Sequence, residues 1–316
     1  MNPQFKDQVA VVTGAGGTLC SAIAKHLAAL GCKVVLIGRT REKLEKVAEN
    51  IAASGDARNI RIEPADVTDE AAIQAMADRV LAEWGPCRFL VNGAGGNNPA
   101  AMPTRLRFGE EDLRSSASAN PASASPNPAS ASANPASGSR SPDSSGPKEV
   151  AASRGFFDID MAAFRSVLEI NTLGTVIPSR IFGLQMARAG GGAILNFASM
   201  NTYRPLTRVA PYAMAKAAIA NWTQFFAQYM APAHVRVNAV APGFMVNERS
   251  RKYLCTPDGG LSPRGEQVMA HTPAGRFGEA EDLLGCVEWL LDDTRAAFVT
   301  GITVPVDGGF LASAGV

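Results

Sequence analysis

The sequence predicts a doubly wound α/β domain, in which a seven-stranded parallel sheet carries helices on both faces. Short runs rich in Val, Ile and Leu alternate with longer stretches whose apolar residues recur at helical spacing. A glycine-rich turn joins the first run to the first helical stretch. Parallel strands need crossover connections, and these are almost always right-handed, so the alternation favours one sheet covered on both faces.

The first half of the chain contains four of the seven strand signals. Val9 to Val12 form the first strand, and the helical pattern after it ends at Gly31. The unit is then repeated by "CKVVLIG" with "REKLEKVAENIAAS", by "IRIEPADV" with "DEAAIQAMADRVLAEWG", and by the strand "CRFLVNGAG". These four strands predict the first part of the sheet.

A low-complexity segment then interrupts the domain, from about 115 to 147. Asn-Pro-Ala-Ser recurs in it at 120, 127 and 134. A proline in every unit and the lack of large apolar residues exclude a coiled coil. Such a segment buries too little surface to offset its ordering entropy, so disorder is expected. We therefore predict a single domain over 1–316 with an insertion.

The second half supplies the remaining strands. A long helical pattern around 160 to 188 precedes the strand "GAILNFAS", and a helix around 210 to 230 precedes the strand "VRVNAVAPG". Residues 244 to 275 are polar and rich in glycine and proline, which predicts a loop or short-helix excursion. "AEDLLGCVEWLLDD" and "GITVPVDGG" give the last helix and the seventh strand.

Composition excludes several classes of function. The net charge of +1 provides no broad field for nucleic acid or an anionic membrane, so we expect neither as a partner. Five scattered cysteines, with no histidine at metal spacing, indicate a reducing compartment and no metal site. No segment has the apolar length of a membrane span or the form of a signal peptide. A cytoplasmic protein is expected.

The stretch "TGAGGTLC" follows the first strand, where a dinucleotide-binding chain makes its phosphate turn. Its glycines permit close backbone approach to a pyrophosphate at a helix N-terminus. Thr18 is predicted to cap the helix, and the small Cys20 to let helix and strand pack closely. The alternative is that Cys20 expands this contact and weakens binding. The predicted contacts of the turn are Thr13, Gly14, Gly16, Gly17, Thr18 and Leu19.

A second constellation lies late in the chain. Tyr212 and Lys216 are four residues apart on a predicted helix, so they share a face. Alone this pair is also typical of a helix surface. Ser199, however, ends the strand "GAILNFAS", at the sheet edge where open α/β sheets bind ligands. The combination is much more specific than either part.

With these motifs the chain resembles the short-chain dehydrogenase/reductase family, a Rossmann-type fold, over nearly its whole length apart from the insertion. "VNGAGG" resembles the family's N-x-A-G strand end, and "EINTLGT", "NAVAPG" and "VPVDGG" resemble further family signatures. The resemblance implies a catalytic tetrad of Asn171, Ser199, Tyr212 and Lys216 in an NAD(P)-dependent oxidoreductase that acts on CH-OH groups. It also implies a homotetramer packed through the two long helices.

Each tetrad residue type suits hydride transfer to a carbonyl. The developing negative charge on oxygen needs a donor, and Tyr212 is the expected acid. Lys216 is expected to lower the pKa of Tyr212, together with the oxidised cofactor, and to bond the ribose hydroxyls. By resemblance Ser199 holds the carbonyl oxygen, and Asn171 anchors a proton-relaying water. The alternative for Asn171 is a helix-terminal cap.

Cofactor choice depends on the end of the second strand. Gly38 and Arg39 stand where NAD-preferring relatives carry an acidic residue, and arginine can clamp a 2'-phosphate. NADP(H) is therefore favoured, with NAD(H) possible. By resemblance the further cofactor contacts are Asp66, Val67, Asn92, Gly93, Ala94, Tyr212, Lys216, Pro242, Gly243 and Asn247. Asn247 stands where the family often has threonine, which leaves its carboxamide contact open.

Longer phrases, among them "NGAGGNNP" and "SMNTYRPLTRVAPYAMAKAA", resemble the D-mannonate oxidoreductase branch. That resemblance implies a sugar-acid substrate, with D-fructuronate and D-mannonate interconverted. The predicted substrate contacts are Asn97, Asn201, Arg204 and Arg249, because amides bond hydroxyls and arginines pair with carboxylates. A reductase of another polyol, sugar or 3-oxoacyl substrate, a silent cofactor-binding regulator and a docking role for the insertion remain alternatives.

Overall fold

The computed structural model describes residues 4–53, 57–115 and 154–314 of the chain. Its centre is one seven-stranded sheet in which every pairing is parallel, as predicted. The strands lie in the order β3-β2-β1-β4-β5-β6-β7. Their bounds are β1 Val9–Thr13, β2 Lys33–Gly38, β3 Ile60–Pro64, β4 Cys87–Asn92, β5 Gly192–Phe197, β6 Val235–Pro242 and β7 Thr303–Val306.

Helices connect successive strands and cover the sheet. Their bounds are α1 Thr18–Ala29, α2 Arg41–Ala52, α3 Glu70–Trp84, α4 Glu110–Ser115, α5 Met161–Arg188, α6 Ala210–Met230, α7 Glu248–Leu254, α8 Pro263–Ala270 and α9 Leu284–Leu291. The two long helices therefore lie where the sequence predicts them. The polar excursion folds into the short helices α7 and α8.

Alternate residues of each central strand enter two different cores. Ala10 and Val12 of β1 belong to the core formed with α1, α2 and α9. Val9 and Val11 belong to the core formed with α3, α5 and α6. A strand buried on both faces needs a continuous apolar run, which is why these strands show no polar alternation in the sequence.

The sheet order places a switch point between β1 and β4. The chain runs outward from β1 to β3 and then returns to β4 on the other side of β1. In open parallel sheets, ligands bind at such a point, outside the carboxyl ends of the strands. Thr13, Asn92 and Phe197 end β1, β4 and β5 at that edge.

The described chain stops at residue 115 and resumes at 154, and these two ends lie together. Arg154 O accepts hydrogen bonds from Thr104 N at 2.9 Å and Arg105 N at 3.2 Å. The Arg105 guanidinium pairs with the buried Asp112 carboxylate at 2.6 Å. The predicted insertion at 115–147 lies almost wholly outside the described residues, so its disorder stays a prediction. The contacts of Thr104 and Arg105 with Arg154, together with the Arg105–Asp112 ion pair, form a clamp that holds the two ends of the described chain together.

Candidate active site

The phosphate turn begins at the end of β1 with a glycine that no other residue replaces easily. Gly14 has φ +67°, and a Cβ there would lie 2.7 Å from Gly93 O. Gly17 is the N-cap of α1 and offers no side-chain hydrogen bond to the first helical turn. The first N–H groups of α1 therefore face the sheet edge without a cap, and they fit a cofactor pyrophosphate.

The prediction that Thr18 caps α1 is wrong. Thr18 is already the first helical residue and is exposed, and its carbonyl accepts a hydrogen bond from Ser21 Oγ at 3.0 Å. The cap position falls one residue earlier, on Gly17. Leu19 is half-buried and packs against the core that the sheet forms with α1, α2 and α9.

Cys20 makes the close helix–strand contact that the sequence predicts. It is buried on α1, and a Cβ on Gly93 would lie 2.0 Å from its Sγ. The thiol thus fills the space that a side chain at 93 would need. Burial raises the pKa of the Cys20 thiol to about 12 although Lys216 lowers it, so the thiol stays neutral and packs as a small apolar group.

The buried side chains of Thr13 and Asn92 stabilise the carboxyl edge of the sheet through hydrogen bonds. Thr13 Oγ1 accepts hydrogen bonds from Gly93 N and Ala94 N, both at 3.1 Å, and so fixes the loop after β4. The Asn92 amide donates to Ser179 Oγ and to Asn196 Oδ1, both at 2.9 Å, and Asn92 is 1% exposed. Asn92, predicted as a cofactor contact, therefore holds β4, β5 and α5 together.

Ser199, Tyr212 and Lys216 meet where β5 and α6 converge. Lys216 Nζ lies 5.5 Å from the centroid of the Tyr212 ring. It donates a hydrogen bond to Phe197 O at 2.7 Å. Tyr212 and Ser199 share a side-chain hydrogen bond. The three side chains that the sequence places in one site are thus assembled.

Burial controls the protonation of this pair. Desolvation lowers the pKa of Lys216 from 10.5 to about 8, and the nearby Cys20 raises it. Desolvation also raises the pKa of Tyr212, while the hydrogen bond with Ser199 lowers it. In the chain without cofactor burial outweighs this hydrogen bond, so the lowering of the Tyr212 pKa that is expected from Lys216 together with the oxidised cofactor stays a prediction.

Asn171 joins the site from the middle of α5. Its Nδ2 donates to Gly96 O at 2.7 Å and to Val167 O at 2.8 Å, and its Oδ1 accepts from Gly96 N at 3.2 Å. A Cβ on Gly95 would lie 2.4 Å from Asn171 Oδ1 and 3.6 Å from Lys216 Nζ. Asn171 thus lies beside Lys216 and is no helix cap.

Two family models match the chain, one described as short chain dehydrogenase over residues 8–123. The other, described as Enoyl-(Acyl carrier protein) reductase, matches residues 146–311. The chain belongs to the short-chain dehydrogenase family. Members are oxidoreductases that act on CH-OH groups with a nicotinamide cofactor, and the assembled tetrad agrees with that chemistry.

The similarity to known proteins extends over nearly the whole chain. The uncharacterized oxidoreductase UxuB of Bacillus subtilis (strain 168) is 36% identical over 100% of this chain and 99% of its own length. The structure of a candidate D-mannonate oxidoreductase from Haemophilus influenza, with bound NAD, has a TM-score of 0.81 at 33% identity and covers 98% of this chain and 97% of that chain. The structure of a candidate gluconate 5-dehydrogenase from Beutenbergia cavernae, with NADP bound at low occupancy, has a TM-score of 0.71 at 28% identity. The match covers 98% of this chain and 100% of that chain.

The cofactor-side residues predicted at β2 and β3 lie next to each other. Arg39 is exposed, and its guanidinium lies 4.0 Å from the Asp66 carboxylate. Asp66 Oδ1 also accepts from Thr68 N at 3.0 Å and Thr68 Oγ1 at 2.7 Å. Val67 is buried, and a Cβ on Gly174 of α5 would lie 2.8 Å from its Cγ2. The Val67 side chain therefore packs against α5, in the core formed with α3, α5 and α6.

The family signatures after β6 and β7 pack on each other. A Cβ on Gly243 would lie 2.6 Å from Asp307 Cα, and Gly243 N donates to Val306 O at 3.0 Å. Pro242 is the last residue of β6. Asn247 follows, and its Oδ1 accepts from Ser250 N at 2.9 Å at the start of α7. Its side-chain oxygen is thus engaged in holding that helix.

The predicted substrate residues have different surroundings. Asn97 is exposed at the edge, and its Oδ1 accepts from Asn98 N at 2.9 Å. Asn201 is buried, and both ends of its amide bond to protein groups. Arg204 is exposed and donates to Ser313 O at 2.9 Å. Arg249 lies in α7, and its side chain is outside the described residues.

Sequence reasoning missed the residue that anchors the loop beside the site. The Arg154 guanidinium donates to Met102 O at 3.2 Å through Nε and also to Pro99 O. This cation lies seven residues beyond the end of the low-complexity segment at 147, and its partners are backbone carbonyls, which leave no signal in the sequence. Among the described residues there is neither a cluster of metal-ligating side chains nor a helix long and apolar enough to cross a membrane.

Proposed function

We propose that the protein interconverts a keto sugar acid and its hydroxy acid, with D-fructuronate and D-mannonate as the pair. The assembly of Ser199, Tyr212, Lys216 and Asn171 at the sheet edge carries the proposed reaction. The likeness to a candidate D-mannonate oxidoreductase supports the substrate. A sugar acid also suits the Asn97 amide and the arginines that the sequence predicts around the site.

The chain's own residues manage the proton in this reaction. The nicotinamide cofactor, when bound, supplies or accepts the hydride. Tyr212 donates its proton to the substrate oxygen during reduction, and burial favours the protonated phenol that this step requires. Ser199 donates a hydrogen bond to the same oxygen as negative charge develops. In the reverse direction Tyr212 must lose its proton, and the Lys216 ammonium stabilises the phenolate.

NADP(H) is the proposed preferred cofactor, and NAD(H) is the alternative. The exposed Arg39 and the absence of an acidic residue at 38 or 39, the end of β2, support a 2'-phosphate. The Asp66 carboxylate lies 4.0 Å from the same guanidinium and competes with a 2'-phosphate for it, which weakens the preference for NADP(H) over NAD(H). Of the two similar structures named above, one holds NAD and the other NADP.

Replacing Arg39 tests the cofactor proposal. Arg39→Asp removes the phosphate partner and adds repulsion, so the ratio of kcat/KM for NADPH over NADH is expected to fall by roughly tenfold or more. Arg188→Asp, which makes the same charge change at the exposed end of α5, is the matched control and leaves the ratio unchanged. An unchanged ratio in Arg39→Asp rules Arg39 out as the selector.

Arg204 is the first proposed partner of the substrate carboxylate, and Arg249 is the second. Arg204 follows Ser199 by five residues, on the loop between β5 and α6. One of its donors is bonded to Ser313 O, and a guanidinium has further donors for a carboxylate. Asn97 is the proposed partner of a substrate hydroxyl. The protein is further proposed to be cytoplasmic and homotetrameric.

A substrate screen tests the proposed function. Reduction of keto sugar acids, neutral ketoses and a 3-oxoacyl thioester is measured with NADH and with NADPH. The highest kcat/KM is expected for a keto sugar acid. A higher value for a neutral or 3-oxoacyl substrate favours the alternative reductases, and cofactor binding without turnover favours a silent regulator.

A further inference from the structure

The Ser199 hydroxyl is held from two sides by a single residue. The backbone N–H of Asn201 donates to Ser199 Oγ at 3.2 Å, and the Asn201 side-chain Nδ2 donates to the same oxygen at 3.2 Å. Both residues are buried, at 5% and 6% exposure, so water does not compete for these bonds. Asn201 therefore makes a two-donor clamp on Ser199 Oγ.

This clamp determines what the hydroxyl can still do. A hydroxyl oxygen has two acceptor lone pairs and one proton. Asn201 occupies both lone pairs, so the remaining function of Ser199 is to donate its proton. The hydrogen bond with Ser199 lowers the pKa of Tyr212, which is the direction expected when the hydroxyl donates its proton to the phenol oxygen. Two donors on Oγ also polarise the O–H bond, which strengthens it as a donor.

The orientation of the Asn201 amide is fixed by a third contact. Asn201 Oδ1 accepts from Leu206 N at 2.9 Å. A backbone N–H only donates, so the oxygen of the amide must face Leu206 and the nitrogen must face Ser199. Both ends of the side chain are thus used within the protein, which leaves it poorly placed to bind a substrate hydroxyl.

We propose that Asn201 is a positioning residue that acts through Ser199: it fills both lone pairs of Oγ and so fixes the hydroxyl as a donor toward Tyr212 and the substrate carbonyl oxygen. The kinetic part of this inference rests on the proposed oxidoreductase reaction. It replaces the substrate contact that the sequence predicts for Asn201.

Kinetics of Asn201 variants test the role. Asn201→Ala removes one donor from Oγ, and kcat is expected to fall roughly tenfold with little change in KM. Asn201→Asp keeps an acceptor for Leu206 N but turns an acceptor toward Ser199, which then donates to the carboxylate. Its kcat is expected to approach that of Ser199→Ala, roughly a hundredfold down, the scale of one lost oxyanion donor.

A double-variant cycle separates positioning from direct contact. Since Asn201 acts through Ser199, Asn201→Ala should cost almost nothing further in a Ser199→Ala background. Asn238→Ala is the matched control: this buried amide likewise donates to one group, Val299 O, and accepts one backbone N–H, from Ile302. It is expected to lower thermal stability and leave kcat per folded enzyme unchanged.

A measurement without substrate keeps this inference separate from the proposed function. With four tyrosines in the chain, the titration of Tyr212 is followed by NMR of 13C-labelled tyrosine and assigned with Tyr212→Phe. Asn201→Ala should move the Tyr212 midpoint to higher pH, because Ser199 donates less well to the phenolate. In a Ser199→Ala background the Asn201→Ala change should leave the Tyr212 midpoint where it is.

The outcomes are distinct. Any of three results overturns the positioning role. They are a raised KM with unchanged kcat in Asn201→Ala, a fall in kcat in the double variant that equals the product of the two single falls, and an unmoved Tyr212 midpoint. A shifted midpoint in a protein that reduces no sugar acid leaves the positioning role intact and refutes the proposed substrate instead.

Discussion

Lys216 is a buried cation whose surroundings disfavour its charge. It is 4% exposed, and burial lowers its pKa from 10.5 to about 8. Below pH 8 the folded protein must keep an ammonium out of water, which reduces its stability. Between pH 8 and 10.5 the unfolded chain still binds this proton and the folded chain does not. Stability from this group therefore increases with pH across that window.

Lys216→Met exposes this effect. The variant has no ionisable side chain at 216, so its stability lacks this dependence on pH. Between pH 8 and 10.5 the free energy of unfolding of the parent should therefore rise relative to that of the variant, by on the order of 2–3 kcal/mol. Denaturant unfolding at several pH values without cofactor measures it. The lost hydrogen bond to Phe197 O adds a cost that does not depend on pH. A difference that is flat across the window contradicts a depressed lysine.

Some single residues could be predicted from the sequence and others could not. Tyr212 and Lys216 were predictable because four residues on a helix fix one shared face. The directions of Asn92 and Asn201 were not, because each depends on partners elsewhere: Asn92 bonds to Ser179 and Asn196, and Asn201 to Leu206 N. Burial of the phenol, which raises the pKa of Tyr212 in the chain without cofactor, is likewise a property of the folded chain.

Helices and strands were predictable where periodicity was strong. The strands needed only continuous apolar runs, whereas the strand order β3-β2-β1-β4 was not predicted, because right-handed crossovers fix the hand of each connection and not which strands become neighbours. The start of α1 was misplaced by the assumption that Thr18 caps it, whereas the cap position is occupied by Gly17, which has no capping side chain. The clamp of Arg105 and Arg154 joins residues that the insertion separates in sequence, so local patterns could not reveal it.

Deletion of the insertion tests that clamp. Removing 115–147 and joining the ends with a short flexible linker is expected to change Tm by less than about 3 °C, because the departure point is held by Thr104, Arg105 and Arg154. The matched variant Arg105→Met leaves the buried Asp112 without that partner and should cost on the order of 3 kcal/mol. A large fall in Tm on deletion shows instead that the segment is part of the fold.

The two long helices carry apolar side chains that the chain itself leaves exposed. On α6, Phe225 is 55% exposed and Tyr229 is 70% exposed, and their rings stack with centroids 6.2 Å apart. On α5, Leu173 and Leu184 are also exposed. A face of this kind indicates an association surface, and it agrees with the proposed homotetramer.

A charge on this face tests the assembly. Phe225→Glu is expected to shift light-scattering mass at micromolar concentration from tetramer to smaller species, because a buried interface carboxylate is costly. Phe298, fully exposed and outside α5 and α6, is the control, and Phe298→Glu leaves the mass unchanged. A strictly monomeric parent contradicts the homotetramer.

The central claim is that this short-chain dehydrogenase selects a sugar acid through its carboxylate. A net charge of +1 gives little long-range attraction, so selection must come from close contacts, such as an arginine with two donors. The decisive measurement is kcat/KM for reduction of D-fructuronate beside neutral D-fructose, in the parent, Arg204→Gln and Arg249→Gln, with Tyr212→Phe as the inactive control. The account predicts that the parent favours the acid by roughly ten- to a hundredfold and that at least one arginine variant narrows this gap. Equal rates on acid and neutral ketose, or a gap that neither variant narrows, would contradict it and leave a general ketose reductase.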